Sequence, residues 1–158
     1  MILYLDASSL VKRYVTEPGS AHVGEAISKA EVVGTVLISR PEIAAALAKA
    51  AQVDALTQEE ASASLQVFRE EWPDLVRVQV TEMVVARADT FAWEHGLRGY
   101  DAVHLAAASL WQDAMSEPVT LSTFDRRLWR AAERVGLVLH PTDLPTLLDE
   151  WKGRQVTR

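Results

Sequence analysis

Apolar positions follow two rhythms along this chain, and the alternation between them predicts the architecture. Ile2-Leu3-Tyr4-Leu5 is an unbroken apolar run that predicts a buried strand. Residues 8–15 predict a short helix, broken by the Glu17-Pro18-Gly19 turn, with a second helix reaching residue 30. Residues 32–38 are a β-branched run. Ser39-Arg40-Pro41-Glu42 then opens an alanine-rich helix over 41–52, with Pro41 at its first helical position and Ser39 and Glu42 in capping-box spacing. Thr57 and Glu60 repeat that spacing ahead of a helix to residue 72, where Pro73 stops it. A short strand at 76–80 and a helix at 81–95 ended by Gly96 come next, then an amphipathic helix at 100–113 with Val103, Ala106, Ala107 and Leu110 at helical spacing. Residues 119–122 predict a strand, 125–135 a helix closed by Gly136, and 138–139 a last short strand. Apolar strands separated by helices predict one α/β domain over residues 1–158, its sheet parallel and covered on both faces.

Composition removes several chemistries. With 158 residues, a single domain buries about 68–70% of the surface its unfolded chain exposes, so the core needs no cross-links. Cysteine is absent, which excludes disulfides, thiolate zinc sites, iron–sulfur clusters and cysteine nucleophiles and makes the cytoplasm the expected location. No run approaches the ~18 apolar residues of a membrane span, and Asp6 ends the first apolar run too early for a signal peptide. Sixteen basic against 22 acidic residues give a net charge of −6, so the broad basic footprint of a sequence-specific DNA binder is missing. Arg126, Arg127, Arg130 and Arg134 do lie together on one short segment. They are either a solvated helix face or a set of guanidinium forks for phosphate.

Four acids stand at positions that a parallel topology brings to one edge. Asp6 follows the first strand, Glu42 lies just after the second, Asp101 opens the helix after Gly99-Tyr100, and Asp125 follows the strand at 119–122. Taken singly, each is better explained as a helix cap, half of a capping box or a complement to the helix dipole. The repetition changes that balance. Four carboxylates in one cleft would raise one another's pKa unless cations neutralise them, and an all-oxygen, cysteine-free donor set suits Mg²⁺ or Mn²⁺ better than zinc. Such a centre activates water and clamps a phosphodiester.

In combination these segments resemble the PIN-domain nucleases, and more closely the VapC-type toxins of bacterial and archaeal toxin–antitoxin pairs. The resemblance rests on Leu3-Tyr4-Leu5-Asp6-Ala7-Ser8, on Ser39-Arg40-Pro41-Glu42-Ile43-Ala44-Ala45-Ala46-Leu47, on Tyr100-Asp101-Ala102-Val103-His104-Leu105-Ala106-Ala107-Ala108, and on Leu121-Ser122-Thr123-Phe124-Asp125. It spans nearly the whole chain. It implies a three-layer α/β/α fold with a mainly parallel central sheet and divalent-metal cleavage of RNA, as the toxin of a type II toxin–antitoxin pair. It also implies a metal centre of Asp6, Glu42, Asp101 and Asp125 with Ser8 and Thr123 as polar neighbours, a homodimer, and an inhibitory antitoxin partner. A chromosomal RNA-processing PIN nuclease and a non-catalytic PIN-like binding module are the alternatives. Aspartyl-phosphate chemistry is disfavoured, because Asp6-Ala7-Ser8 lacks a second acid two residues on.

Other residues carry weaker expectations. Arg40 and Arg98, next to proposed site acids, are candidates for substrate phosphate or for salt bridges to those acids. Lys12 and Arg13 are equally a phosphate contact or a solvated face. His104 sits three residues after Asp101, which permits a ligand pair but suits a partly buried structural histidine better. Trp93, Trp111 and Trp129 are expected in the core or at an interface rather than stacked on bases.

Overall fold

The computed structural model describes residues 1–156. Five strands, β1 (Ile2–Leu5), β2 (Val32–Val36), β3 (Val76–Val78), β4 (Val119–Ser122) and β5 (Val138–His140), form one sheet in the order β3-β2-β1-β4-β5. Every pairing is parallel, with Tyr4 opposite Gly34 on one side and Leu121 on the other. The helices are α1 (Ala7–Leu10), α2 (Ser20–Lys29), α3 (Ser39–Gln52), α4 (Gln58–Glu71), α5 (Glu82–His95), α6 (Gly99–Met115), α7 (Arg126–Arg134) and α8 (Leu144–Val156). None is long and apolar enough to cross a membrane. The three-layer α/β/α arrangement is the one expected.

Side-chain alternation along β1 divides the core. Ile2 and Tyr4 point into one layer with Val119 and Leu121, beneath α5, α6 and α7, while Leu3 and Leu5 face the other with Leu10, Val23, Ile43 and Phe68. Because β1 is buried on both faces, its four residues are apolar without interruption. Gly34 is the exception that lets the layers close. A Cβ there would lie 2.7 Å from the Trp111 ring, so α6 rests directly on the backbone of β2.

The turn chemistry accounts for most helix ends. Thr57 and Glu60 form the expected reciprocal capping box, Thr81 caps α5, and Gly96 ends it in the left-handed region. Two expectations need correcting. The first helix is only Ala7–Leu10, continued by a 3₁₀ turn at Val11–Arg13. Helix α3 starts at Ser39 rather than Pro41, with no side-chain cap, because Ser39 pairs with Thr35. Trp111 and Trp129 are 8% exposed and belong to the core, whereas Trp93 is 89% exposed, which leaves it only the interface reading. Helix α8 is an element that the sequence reading left out. The predicted domain ends at residue 158, and residues 157 and 158 lie outside the described ones.

Candidate active site

In a parallel sheet the carboxyl ends of the strands share one edge, and the order reverses about β1, with β2 on one side and β4 on the other. That edge is where a crevice opens. Asp6 follows β1 there, and its backbone N–H continues the ladder to Ser122. It is the N-cap of α1, and Oδ1 accepts from Ser9 N–H at 2.9 Å. Thr123 Oγ1 donates to Oδ2 at 2.6 Å, and Ser8 Oγ lies 2.8 and 2.9 Å from the two oxygens. Phe124 N–H donates to Ser8 Oγ in turn, and Asp125 N–H to Thr123 Oγ1. Ser8 and Thr123 therefore lock the first acid to the loop that carries the last. Asp6 is only 3% exposed, and burial raises its pKa against the lowering effects of His104, Thr123, Ser8 and Ser9.

Asp125 caps α7 through Leu128 N–H at 2.8 Å. Asp101 lies in the first turn of α6 and is half-buried. Its pKa is pushed up to about 6, first by burial and then by the charges of Asp125 and Asp6. Asp125 and Asp6 are therefore near enough for their charges to act on Asp101. Arg98 stands beside them with its guanidinium exposed, donating to the Tyr100 hydroxyl at 3.2 Å in the field of Asp101 and Asp125. None of the three acids forms an ion pair with Lys or Arg among the described residues.

Glu42 is positioned differently from what its sequence pattern suggests. Ser39 Oγ pairs with Thr35 Oγ1 at 2.6 Å rather than capping α3, and Glu42 Oε1 pairs with His104 Nε2 at 2.7 Å. The local capping box loses because Ser39 pairs with Thr35, four residues back in β2, and Glu42 with His104 in α6. His104 is 1% exposed, and its Nδ1 lies 2.9 Å from the Tyr4 hydroxyl. A carboxylate only accepts, so Nε2 carries the proton, and on a neutral ring Nδ1 accepts from Tyr4. Burial, Asp6 and Glu42 hold the Tyr4 phenol well above its usual pKa, which keeps it a donor. His104 is therefore a buried link from Tyr4 in β1 to Glu42 in α3. Tyr4 was not singled out from the sequence, and nothing local marks a strand tyrosine as reaching a residue 100 positions away.

His104→Leu is expected to leave the buried Tyr4 hydroxyl without this partner and to cost ~1–3 kcal/mol, a fall in melting temperature of roughly 2–10 °C. His104→Gln, which keeps a polar end, should lose less. Thermal melts of the two variants check this.

Arg40 points elsewhere. Its guanidinium lies 5.8 Å above the Trp72 ring, in a groove between α3 and α4 that it shares with Phe68 and Arg69. Lys12 pairs with Glu17 at 2.8 Å and lies over Phe124, and Arg13 pairs with Glu71 at 2.7 Å. Beside the acids, a largely apolar groove of about 670 Å³ runs along α3, lined by Ile38, Ala45, Ala46 and Tyr100, with Ser8 and Glu42 among its polar lining residues.

Among the described residues no three Asp, Glu or His side chains converge into a set that could by itself hold a metal ion. The donor chemistry nevertheless fits a hard cation. Mg²⁺ keeps several waters and takes only one or two carboxylates, and the repulsion of Asp101 by Asp125 and Asp6 is what a cation would relieve.

Comparison with known proteins shows the family and the fold. The PIN domain family model matches residues 3–134. Ribonuclease VapC45 of Mycobacterium tuberculosis is 33% identical over 144 residues, covering 90% of this chain and 97% of that protein. The crystal structure of PAE2754 from Pyrobaculum aerophilum superposes with a TM-score of 0.61 at 21% identity, over 94% of this chain and 90% of that one. A chain in a toxin–antitoxin complex from Klebsiella pneumoniae gives 0.59 at 17% identity, over 79% and 87%.

Proposed function

The chain belongs to the PIN-domain family, and from that premise we propose that it is an endoribonuclease, the toxin of a toxin–antitoxin pair, dependent on Mg²⁺ or Mn²⁺. The observation that carries the reading is the placement of Asp6, buried at the carboxyl edge of the sheet and hydrogen-bonded to Thr123, whose hydroxyl also accepts from Asp125 N–H, with Asp101 in the first turn of α6 beside them. This is an accumulation of negative charge without a protein cation bonded to it, at the edge where a parallel sheet takes its ligands. When bound, a divalent cation would supply Lewis-acid activation of a phosphodiester and of a water.

The chain's own residues divide the remaining work. Asp6 is fixed by three donors, so it would hold the cation with little freedom to lose. Asp101 and Asp125 complete the proposed holding set, and a bound cation would relieve the repulsion that raises the Asp101 pKa. Glu42 would act from the far wall, oriented by His104. The exposed Arg98 guanidinium can meet a phosphate at the mouth with paired hydrogen bonds. For Arg40 a phosphate contact requires the side chain to leave Trp72.

For the antitoxin, the groove beside Glu42 offers an apolar wall along α3 ending at the carboxylates. A segment that buries small apolar residues there and places an Arg or Lys among the acids would exclude both substrate and cation. Neutralising Glu42 or Asp101 should weaken such inhibition. For a homodimer, Trp93 is the exposed residue on which an interface can be tested.

The test of the activity is cleavage of a structured RNA by the purified protein with Mn²⁺ and with EDTA. Cutting with Mn²⁺ that stops in EDTA is the expected result. Cutting that persists in EDTA overturns the mechanism, and no cutting under any divalent ion overturns the activity.

A further inference from the structure

Helix α7 begins at the cleft, with Asp125 as its N-cap, and runs away from it. It buries Leu128, Trp129, Ala131 and Ala132, and its exposed residues are Arg127, Arg130, Glu133 and Arg134. At 100° per residue the three arginines fall within an arc of roughly 60°, spread over about 10 Å of helix axis. Arg126, next to them in sequence, is tied to Asp149 and to the Pro145 carbonyl. Arg127, Arg130 and Arg134 make no ion pair among the described residues, not even with the exposed Glu133 on the same helix. Arg130 and Arg134 are also a like-charged i,i+4 pair, which disfavours an isolated helix. The stripe is thus not explained by what it does for the fold.

We propose that Arg127, Arg130 and Arg134 form a track for the phosphate backbone of the substrate strand on one side of the cleaved bond. The proposal rests on the ribonuclease reading and extends it. Charge complementarity and continuity carry it. In a chain of net charge −6, three unpaired guanidinium groups stand in line from the turn that holds Asp125, with the exposed Arg98 across the mouth in the field of Asp101 and Asp125. A guanidinium fork matches phosphate bidentately. No apolar residue is exposed between the arginines, so this face offers a protein partner little to bury, whereas the α3 groove does. Contacts of this kind hold any sequence and position the strand without reading it.

The experiment compares wild type with R127Q/R130Q/R134Q in steady-state cleavage of a single-stranded RNA and in binding at several salt concentrations. The expected result is a KM about ten-fold higher with kcat little changed, a smaller advantage of long RNA over short, and a salt slope shallower by about 2, from ~0.7 per lost phosphate contact. R127K/R130K/R134K should keep the salt slope, which separates charge from any effect on folding. An active glutamine variant with the wild-type KM and salt slope overturns the track and leaves the ribonuclease reading standing. If the variant keeps RNA binding but loses a co-expressed antitoxin, the face is a protein interface and the track is likewise overturned. If wild type cuts no RNA, the ribonuclease reading fails, and the track falls with it.

Discussion

Asp6→Asn is expected to lower RNA cleavage on the order of a thousand-fold while the protein still folds. The substitution is close to isosteric. The retained amide oxygen can still accept from Ser9 N–H, and the Thr123 hydroxyl can turn to accept from the new NH₂ in place of donating. What is lost is a buried negative charge, 3% exposed, at the centre of the proposed site. A bound cation is worth several kcal/mol of charge stabilisation, and each ~1.4 kcal/mol is a decade in rate, which gives the magnitude. Ser8→Ala and Thr123→Ala remove only the groups that orient Asp6, so losses of roughly 10–100-fold are expected for them. The check is kcat on RNA with Mn²⁺ beside a thermal melt of each variant. Full activity of Asp6→Asn would remove Asp6 from the mechanism.

How far the sequence revealed this molecule depended on whether a residue's partner is local. The Thr57–Glu60 box, the stop at Pro73 and the left-handed Gly96 all satisfy themselves within a few residues, and each stands where the pattern put it. Ser39 and Glu42 have the same spacing and the opposite outcome. The Ser39 hydroxyl turns back to Thr35 in β2, four residues earlier, which leaves the box without its cap, and the Glu42 carboxylate finds His104, 62 residues away, which no local pattern reports. For the same reason the sheet was legible as parallel from its alternating strands and helices, but its order was not. Helix α8 was missed although Asp143 accepts from Thr146 N–H at its start, a capping pattern visible in the sequence, with Leu144 fully buried behind it.

The candidate acids were legible by position, since a residue directly after a buried strand or at the start of the following helix must fall at the carboxyl edge. Their surroundings were not. Ser8 and Thr123 lie on opposite sides of a loop junction that exists only once β1 and β4 pair. Arg40 lies two residues from Glu42 in sequence, yet residues two apart on a helix diverge by about 200°, and its guanidinium is over Trp72 while Glu42 faces His104.

Without metal, the protein is expected to lose stability as pH rises from about 4 to about 6 and to regain it when Mn²⁺ is added, and Asp101→Asn is expected to remove much of both effects. Asp101 titrates from 3.8 in the unfolded chain to about 6 in the native state. Between those values the native state holds a proton that the unfolded chain has released, so raising pH favours unfolding. Below the lower value there is no penalty, and above the upper one it is complete. Transmitted in full, the difference would cost about 3 kcal/mol, and solvent screening at a half-buried carboxylate reduces this to about 1 kcal/mol, or roughly 2–4 °C. Asp6, also raised, adds to the same slope. Glu25, Glu71 and Asp143 are lowered instead, so they act in the opposite sense and at lower pH, where the carboxylates lose their charge. A cation bound only to the native cluster adds about 2.7 kcal/mol at a hundred times Kd, which exceeds the repulsion it relieves. Asp101→Asn should therefore melt higher than wild type at pH 7.5 in EDTA, match it near pH 4, and gain less from Mn²⁺. Melts at both pH values, with EDTA and with Mn²⁺, decide the matter. Curves that run parallel for the two proteins in all four conditions would show that Asp101 neither carries the repulsion nor holds the cation.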